Sequence, residues 1–125
     1  LRDIEKAKID FPDRNFTCVK GNCDVWDTVP SMNVLSIEGY KVLITHGDGF
    51  DVKTSKLAIR RAAIGMGADI VLYGHTHRQY YEYLEGLYLF NPGSVKPEAE
   101  MAYIPSYGIL DTSEGFPDIY NCEII

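Results

Sequence analysis

Apolar and polar positions alternate along this chain with two different periods. Residues 1–10 and 53–66 carry apolar side chains at helical spacing, which predicts two helices, the first ending before Pro12. In the second helix the predicted apolar stripe consists of Leu57, Ile64 and the alanines at 58, 62 and 63, and the helix is expected to end at Gly65 and Gly67.

Shorter apolar runs bounded by turn residues predict strands. The pairs Glu38-Gly39 and Glu85-Gly86 each stand between two such runs, which indicates two hairpins. Residues 70–73 are continuously apolar and predict a fully buried strand. The predicted strands cover residues 16–19, 34–37, 40–45, 70–73, 79–84, 87–91, 107–111 and 119–124. This mixture favours α/β or α+β layers over a pure sandwich.

Length and charge narrow the classes of protein that this chain could represent. Its 125 residues predict a single domain over residues 1–125. Twelve basic against eighteen acidic residues give a net charge of -6, which disfavours general nucleic-acid binding because an acidic surface repels phosphate backbones. No apolar run is long enough to predict a membrane span, and no signal peptide is evident.

The three cysteines, Cys18, Cys23 and Cys122, are an odd number without a leader sequence. They predict reduced thiols and a cytoplasmic protein rather than a secreted disulfide framework.

All three histidines follow predicted strands. His46 comes after residues 42–45, and His75 and His77 come after residues 70–74. A single histidine is more often packed or solvated than functional, but ligand sites gather beyond the carboxyl ends of strands in helix-covered sheets. On an extended chain, residues 75 and 77 would direct both rings to the same side. A divalent metal would hold such neighbouring imidazoles in their neutral form.

Two further turns could take part in a site. Gly21-Asn22-Cys23-Asp24 is a common type of turn, and Asn22 becomes a candidate ligand only beside histidines. Asn91-Pro92-Gly93-Ser94 could cradle an anion through backbone amides, although a plain turn is the more common role. The acids Asp24, Asp27, Asp48 and Asp51 are ordinary loop residues unless other ligands join them.

Four motifs in order give the chain a family resemblance: Gly21-Asn22-Cys23-Asp24, Thr45-His46-Gly47, Gly74-His75-Thr76-His77 and Asn91-Pro92-Gly93-Ser94. Together they resemble the calcineurin-like metallophosphoesterases, with spacing similar to the small bacterial and archaeal phosphodiesterases. The resemblance extends over about residues 16–107. It implies a four-layer fold in which a two-sheet β-sandwich is flanked by helices.

The resemblance also implies a site with two divalent metal ions. Asn22, His46 and His75 would hold one ion and His77 the other, and Asn22, Cys23 and His75 would take part in catalysis. The ligand mixture suits manganese best, with iron, nickel or zinc as alternatives. In the family, a hydroxide bridging the ions attacks a phosphodiester, or in some members a phosphomonoester, in line.

The chain departs from the family pattern at two places. The family's Asp-x-His and Gly-Asp motifs precede the Gly-Asn motif, and residues 1–20 contain neither. We therefore expect the N-terminal part of the domain to be missing, and these 125 residues alone to be inactive and unstable as a monomer. Cys23 stands where the best catalysts of the superfamily carry a histidine that protonates the leaving group, which implies a preference for good leaving groups.

Two other functions remain open at this point. The small subunit of retromer has the same fold and acts as a protein scaffold, but it carries phenylalanine at the position of Cys23. A structural zinc site built from Cys18 or Cys23 with the histidines has weaker support from the spacing. The predicted partner is a small phosphoester substrate, homo-oligomer formation remains open, and the substrate itself is not specified.

Overall fold

The structure, a computed structural model, describes residues 2–20, 30–96 and 104–124. In these ranges the chain forms a five-stranded sheet, a two-stranded sheet and two α-helices. The helices are α1 (Arg2–Asp10) and α2 (Leu57–Gly65). The strands are β1 (Met32–Ile37), β2 (Tyr40–Thr45), β3 (Ile70–Tyr73), β4 (Gln79–Leu84), β5 (Leu87–Pro92), β6 (Ser106–Asp111) and β7 (Asp118–Glu123). The predicted mixed α/β class with two sheets is confirmed.

The larger sheet has a parallel centre and antiparallel edges. Its order is β1-β2-β3-β5-β4, with β2, β3 and β5 parallel to one another. The β1–β2 and β4–β5 hairpins form the two edges, as predicted. Both hairpin turns place their glutamate and glycine at positive φ, 49° and 84° for Glu38 and Gly39 and 54° and 82° for Glu85 and Gly86. Two residues of positive φ are what a two-residue type I′ turn requires.

Alternate residues of the parallel strands enter two separate cores. Leu43, Val71 and Leu89 pack on one face with Ile59 and Ala63 of α2. Val42, Ile70 and Phe90 pack on the opposite face with Ile119 of β7. The sheet is therefore covered by a helix on one face and by the β6–β7 pair on the other, and its central strands are apolar on both sides.

Helix α2 is shorter than predicted and buries a different stripe. Residues 51–54 form turns, so the helix begins at Leu57 rather than at residue 53. Leu57, Ala58 and Ile64 are exposed, whereas Ile59 and Ala63 are fully buried. Ala63 of the predicted stripe is buried as expected, but Leu57, Ala58 and Ile64 were wrong, because Ile59 and Ala63, four residues apart, define the face that meets the sheet. Its predicted end is confirmed, with Gly67 in the left-handed conformation at φ 69°.

The strand predicted over residues 16–19 is absent, and residues 15–20 are irregular. Lys20 N donates to Pro30 O at 3.0 Å, but one such bond does not make a ladder. The remaining predicted strands form within a few residues of their expected bounds.

The described residues bear on the predictions about cysteines and membrane spans. Cys18 and Cys122 are free thiols, whereas Cys23 lies outside the described ranges. Neither described helix is long and apolar enough to cross a membrane.

Gly108 allows β6 to approach the larger sheet closely. A Cβ at this position would lie 2.5 Å from Cε2 of Phe90, whose side chain is only 2% exposed, and 3.2 Å from Cβ of Pro92. Gly108→Ala should therefore lower the free energy of unfolding by about 1–3 kcal/mol through overpacking. Urea denaturation of the protein measures this change.

Gly65→Ala is the matched control, because no atom lies within 4 Å of its added methyl group and its φ is not left-handed. This control should be neutral or stabilising by about 0.5–1 kcal/mol. Equal effects of the two variants would show that the sheets do not require this close approach.

Candidate metal centre

The parallel register of β2 and β3 brings two of the three histidines to one edge of the sheet. Thr45 pairs with Tyr73, so the carboxyl ends of both strands lie side by side. His46 follows the end of β2, and His75 comes two residues after the end of β3. Gly74 N donates to His46 O at 2.9 Å and thereby extends the contact beyond the strands.

The His46 and His75 rings face each other through their nitrogens. Nε2 of His46 lies 3.2 Å from Nδ1 of His75, with ring centroids 5.0 Å apart and ring planes at 70°. Both side chains are partly buried. The structure thus brings His46 and His75 together, as expected for two groups that share one ligand.

The backbone around residues 75–77 is not extended, contrary to the prediction. His75 and His77 have φ values of 69° and 61°, in the left-handed region, and Thr76 N donates to Gly74 O. Non-glycine residues adopt this conformation at an energetic cost and only where surrounding contacts hold them in place. The placement of the rings therefore depends on the loop conformation rather than on strand alternation.

A buried amide holds this loop. Asn91, with 0% exposure, donates through Nδ2 to Gly74 O at 3.1 Å and to Thr76 Oγ1 at 3.0 Å. Its Oδ1 accepts a hydrogen bond from Gly93 N at 2.9 Å. The Asn91 side chain thus connects the loop after β3 to the turn after β5. The sequence showed this asparagine only as part of a turn or anion cradle, and its role as a positioning residue was missed.

The Tyr73 side chain is 3% exposed, and among the described residues its hydroxyl makes no well-formed hydrogen bond, although the nearby Asn91 side chain acts to lower its pKa. Burial raises the pKa of the Tyr73 phenol well above its usual value, and the nearby Tyr80 phenol acts in the same direction. This residue was not a candidate from the sequence, because a tyrosine at the end of an apolar strand resembles any other core residue.

The His46–His75 geometry fits a divalent metal ion. Two nitrogens bound at about 2.0–2.1 Å to one ion, at angles of about 90–110°, are separated by about 2.8–3.4 Å. The observed 3.2 Å falls in this interval. Within the described ranges no three side chains of His, Cys, Asp and Glu form a ligand group. Asn22 and Cys23 lie outside these ranges, so their predicted roles, and that of His77 as a ligand, stay predictions.

Comparison with known proteins gives the family of this domain. The model of the calcineurin-like phosphoesterase superfamily domain matches residues 1–115. The chain belongs to this superfamily, as its motifs indicated.

Curated relatives include metallophosphoesterases of archaea. The chain is 34% identical over 115 residues to a probable metallophosphoesterase of Methanocaldococcus jannaschii, covering 91% of the chain and 55% of that protein. It is 34% identical over 80 residues to a phosphodiesterase of the same organism, covering 64% and 43%. The chain spans about half the length of the curated relatives it matches.

One relative is named for vacuolar protein sorting rather than for phosphoester hydrolysis. The chain is 29% identical over 100 residues to vacuolar protein sorting-associated protein 29 of Schizosaccharomyces pombe, covering 74% of the chain and 54% of that protein. Among solved structures, a predicted phosphoesterase of Streptococcus pneumoniae superposes with a TM-score of 0.72 at 27% identity. That match covers 84% of this chain and 60% of the other.

Replacing Asn91 by leucine should destabilise the loop that carries His75. The variant leaves Gly93 N without its acceptor and removes both bonds from Nδ2, which should cost about 2–4 kcal/mol of unfolding free energy. Chemical denaturation measures the loss. Asn121→Leu is the control, because Asn121 donates one long bond of 3.4 Å to Asn91 O and should lose less than about 1 kcal/mol. A tolerated Asn91→Leu would contradict the positioning role.

Replacing Tyr73 by phenylalanine should change how stability depends on pH. Because folding raises the pKa of this phenol, its contribution is fully present below about pH 10 and is lost as the pH rises above that value. Tyr73→Phe should therefore make the alkaline loss of stability shallower, and removal of a hydroxyl without a well-formed hydrogen bond should leave stability at pH 7 unchanged or higher. Denaturation series from pH 8 to about 11 measure both effects.

Tyr83→Phe provides the control, because Tyr83 is 54% exposed. It should change the alkaline loss of stability less than Tyr73→Phe does, because Tyr83 is exposed and its effect is limited to the neighbouring Tyr88 phenol, whose pKa burial and Tyr83 both raise. If stability fell equally steeply at alkaline pH in the Tyr73 and Tyr83 variants, the alkaline loss could not be assigned to the Tyr73 phenol.

Proposed function

We propose that the protein is a metal-dependent phosphoesterase that hydrolyses phosphodiester bonds and, less readily, phosphomonoester bonds. Two observations support this function: the His46–His75 pair at the shared strand edge, and membership of the calcineurin-like superfamily. The proposal concerns the whole protein, since the chain covers only part of its relatives.

In this proposal the two imidazoles act as neutral ligands. His46 would present Nε2 and His75 would present Nδ1, the atoms that already face each other. Asn22 would join them on the first ion and His77 would hold the second, with manganese preferred. The remaining ligands would come from the N-terminal motifs that residues 1–20 lack. A bound divalent ion supplies Lewis acidity toward phosphoryl oxygens and lowers the pKa of water.

Two further residues would assist the reaction. Asn91 would keep the His75 loop in place during turnover through its bonds to Gly74 and Thr76. Cys23 would be a weak proton donor to the leaving group, so substrates with good leaving groups are preferred. We propose a cytoplasmic location and a small phosphoester substrate.

A non-catalytic scaffold of the same fold is the alternative function. It is supported by the relationship to vacuolar protein sorting-associated protein 29. A second support is the set of exposed apolar side chains on the two-stranded β6–β7 sheet, such as Tyr107, Ile109 and Tyr120. A scaffold would keep the fold without metal-dependent turnover, so one activity measurement separates the two functions.

The protein as it is encoded, including any residues before Leu1, should hydrolyse bis(p-nitrophenyl) phosphate only with added divalent metal, manganese being the first to test. Chelation should abolish release of p-nitrophenolate, because the reaction depends on the ions. His75→Ala should lower kcat/KM by about a hundredfold or more, since a direct ligand is lost.

Arg61→Gln is the control for this experiment, because Arg61 is an exposed residue of α2. It should retain the parent rate, and both variants should be checked for folding by circular dichroism. Full activity in the presence of chelator would contradict the metal-dependent mechanism. No activity with any tested metal would favour the scaffold.

A further inference from the structure

A cationic cavity adjoins the loop that carries the histidines. Its volume is about 520 Å³, which is in the range of small-molecule binding sites. It is lined by Lys53, Lys56, Thr76, Arg78, Gln79 and Tyr80. Three of these six side chains are positively charged and none is acidic, although the chain as a whole has a net charge of -6. A local concentration of positive charge on an acidic protein favours an anionic ligand at this place.

Thr76 links the cavity to the loop of the candidate metal centre. This residue stands between His75 and His77 in the chain and contributes to the cavity wall. Asn91 Nδ2 donates to its hydroxyl, which also accepts a hydrogen bond from Arg78 N at 3.2 Å. The loop that positions His75 therefore also fixes one wall of the cavity, which places the cavity beside the candidate metal centre.

Lys56 is held in position by its surroundings. Its Nζ donates to Val52 O at 2.6 Å and lies 5.2 Å from the centroid of the Tyr80 ring and 5.7 Å from that of Tyr73. An ammonium group carries three donors, and the Val52 carbonyl uses one of them. Lys56 is thus a pre-positioned charge with remaining hydrogen-bonding capacity, which lowers the entropic cost of binding an anion.

The acid that bonds to the cavity residue Tyr80 is already paired with a cation. Glu82 accepts a hydrogen bond from Tyr80 Oη at 2.5 Å and forms an ion pair with Arg60 at 2.6 Å. The bond to Glu82 raises the pKa of the Tyr80 phenol, so Tyr80 stays neutral at physiological pH. Within the described ranges neither Lys53 nor Lys56 forms an ion pair with a carboxylate. Their charges therefore remain available to a ligand.

We infer that this cavity binds a second anionic group of the substrate, a phosphate remote from the phosphoester that is hydrolysed. The inference rests on the proposed function and narrows the substrate class to phosphoesters with an additional phosphate. Phosphate suits a cavity lined by several cationic side chains because its oxygens accept several charge-assisted hydrogen bonds at once.

Two synthetic substrates with the same leaving group test this inference. They are thymidine 3′-(p-nitrophenyl phosphate) with and without a 5′-phosphate, assayed with manganese in the protein as it is encoded. The parent protein should show kcat/KM at least about tenfold higher for the 5′-phosphorylated compound, and the ratio should fall as salt increases. Equal kcat/KM values would overturn the inference and leave the proposed function intact.

Charge removal then assigns the preference to this cavity. Lys53→Gln and Lys56→Gln should each lower the ratio several-fold, and the double variant should bring it close to one. Arg61→Gln removes the same charge from α2 outside the cavity lining and should retain the parent ratio. Thermal melting checks that each variant is folded, and Lys53→Gln remains informative if loss of Lys56 is destabilising, because Lys53 is exposed. If the double variant kept the parent protein's ratio of kcat/KM values, the preference could not be assigned to this cavity.

Binding without turnover separates the two proposals. Thymidine 3′,5′-bisphosphate and thymidine 3′-phosphate are titrated into the chelator-treated protein by calorimetry. Tighter binding of the bisphosphate, lost in the double lysine variant, would support the cavity even if neither synthetic substrate is hydrolysed and the proposed function fails. Equal or undetectable binding of both, together with no preference in hydrolysis, would overturn the inference.

Discussion

The arrangement of the candidate site depends on one buried amide. Asn91 has no exposure to solvent, and its side chain uses both its donor and its acceptor groups to connect two loops. A buried polar group without partners costs about 1–3 kcal/mol, so the two loops and the asparagine constrain one another. The left-handed backbone of His75 and His77 is stable only within such a fixed framework.

The sheet beneath these loops supplies the second constraint. Because β2 and β3 are parallel and adjacent, they bring together two histidines that are distant in sequence. Nε2 of His46 lies 3.2 Å from Nδ1 of His75. The central strands are buried on both faces, by α2 on one side and by the β6–β7 pair on the other. Strands packed in this way are among the most rigid parts of a domain, and ligand-binding loops are best positioned on such a scaffold.

Charge is distributed unevenly around this site. The chain is acidic overall, yet Lys53, Lys56 and Arg78 line the cavity next to Thr76. Glu82, the acid bonded to Tyr80, is paired with Arg60 and does not neutralise these lysines. A metal centre and an adjacent cationic cavity would bind the two ends of a polyanionic substrate, whereas a scaffold function requires neither.

The sequence by itself determined the elements, the hairpins and the order of the motifs. Period-two and period-3.6 patterns and two-residue turns are local properties, so β1–β2 and β4–β5 were predictable from them. The histidine motifs are also short and contiguous in the chain, so they could be identified without the structure. The tertiary structure decided which face of α2 is buried, that residues 16–19 remain without a strand, and that Asn91 holds the His75 loop. These properties depend on partners remote in sequence, whose positions are set by strand order and packing rather than by any local pattern.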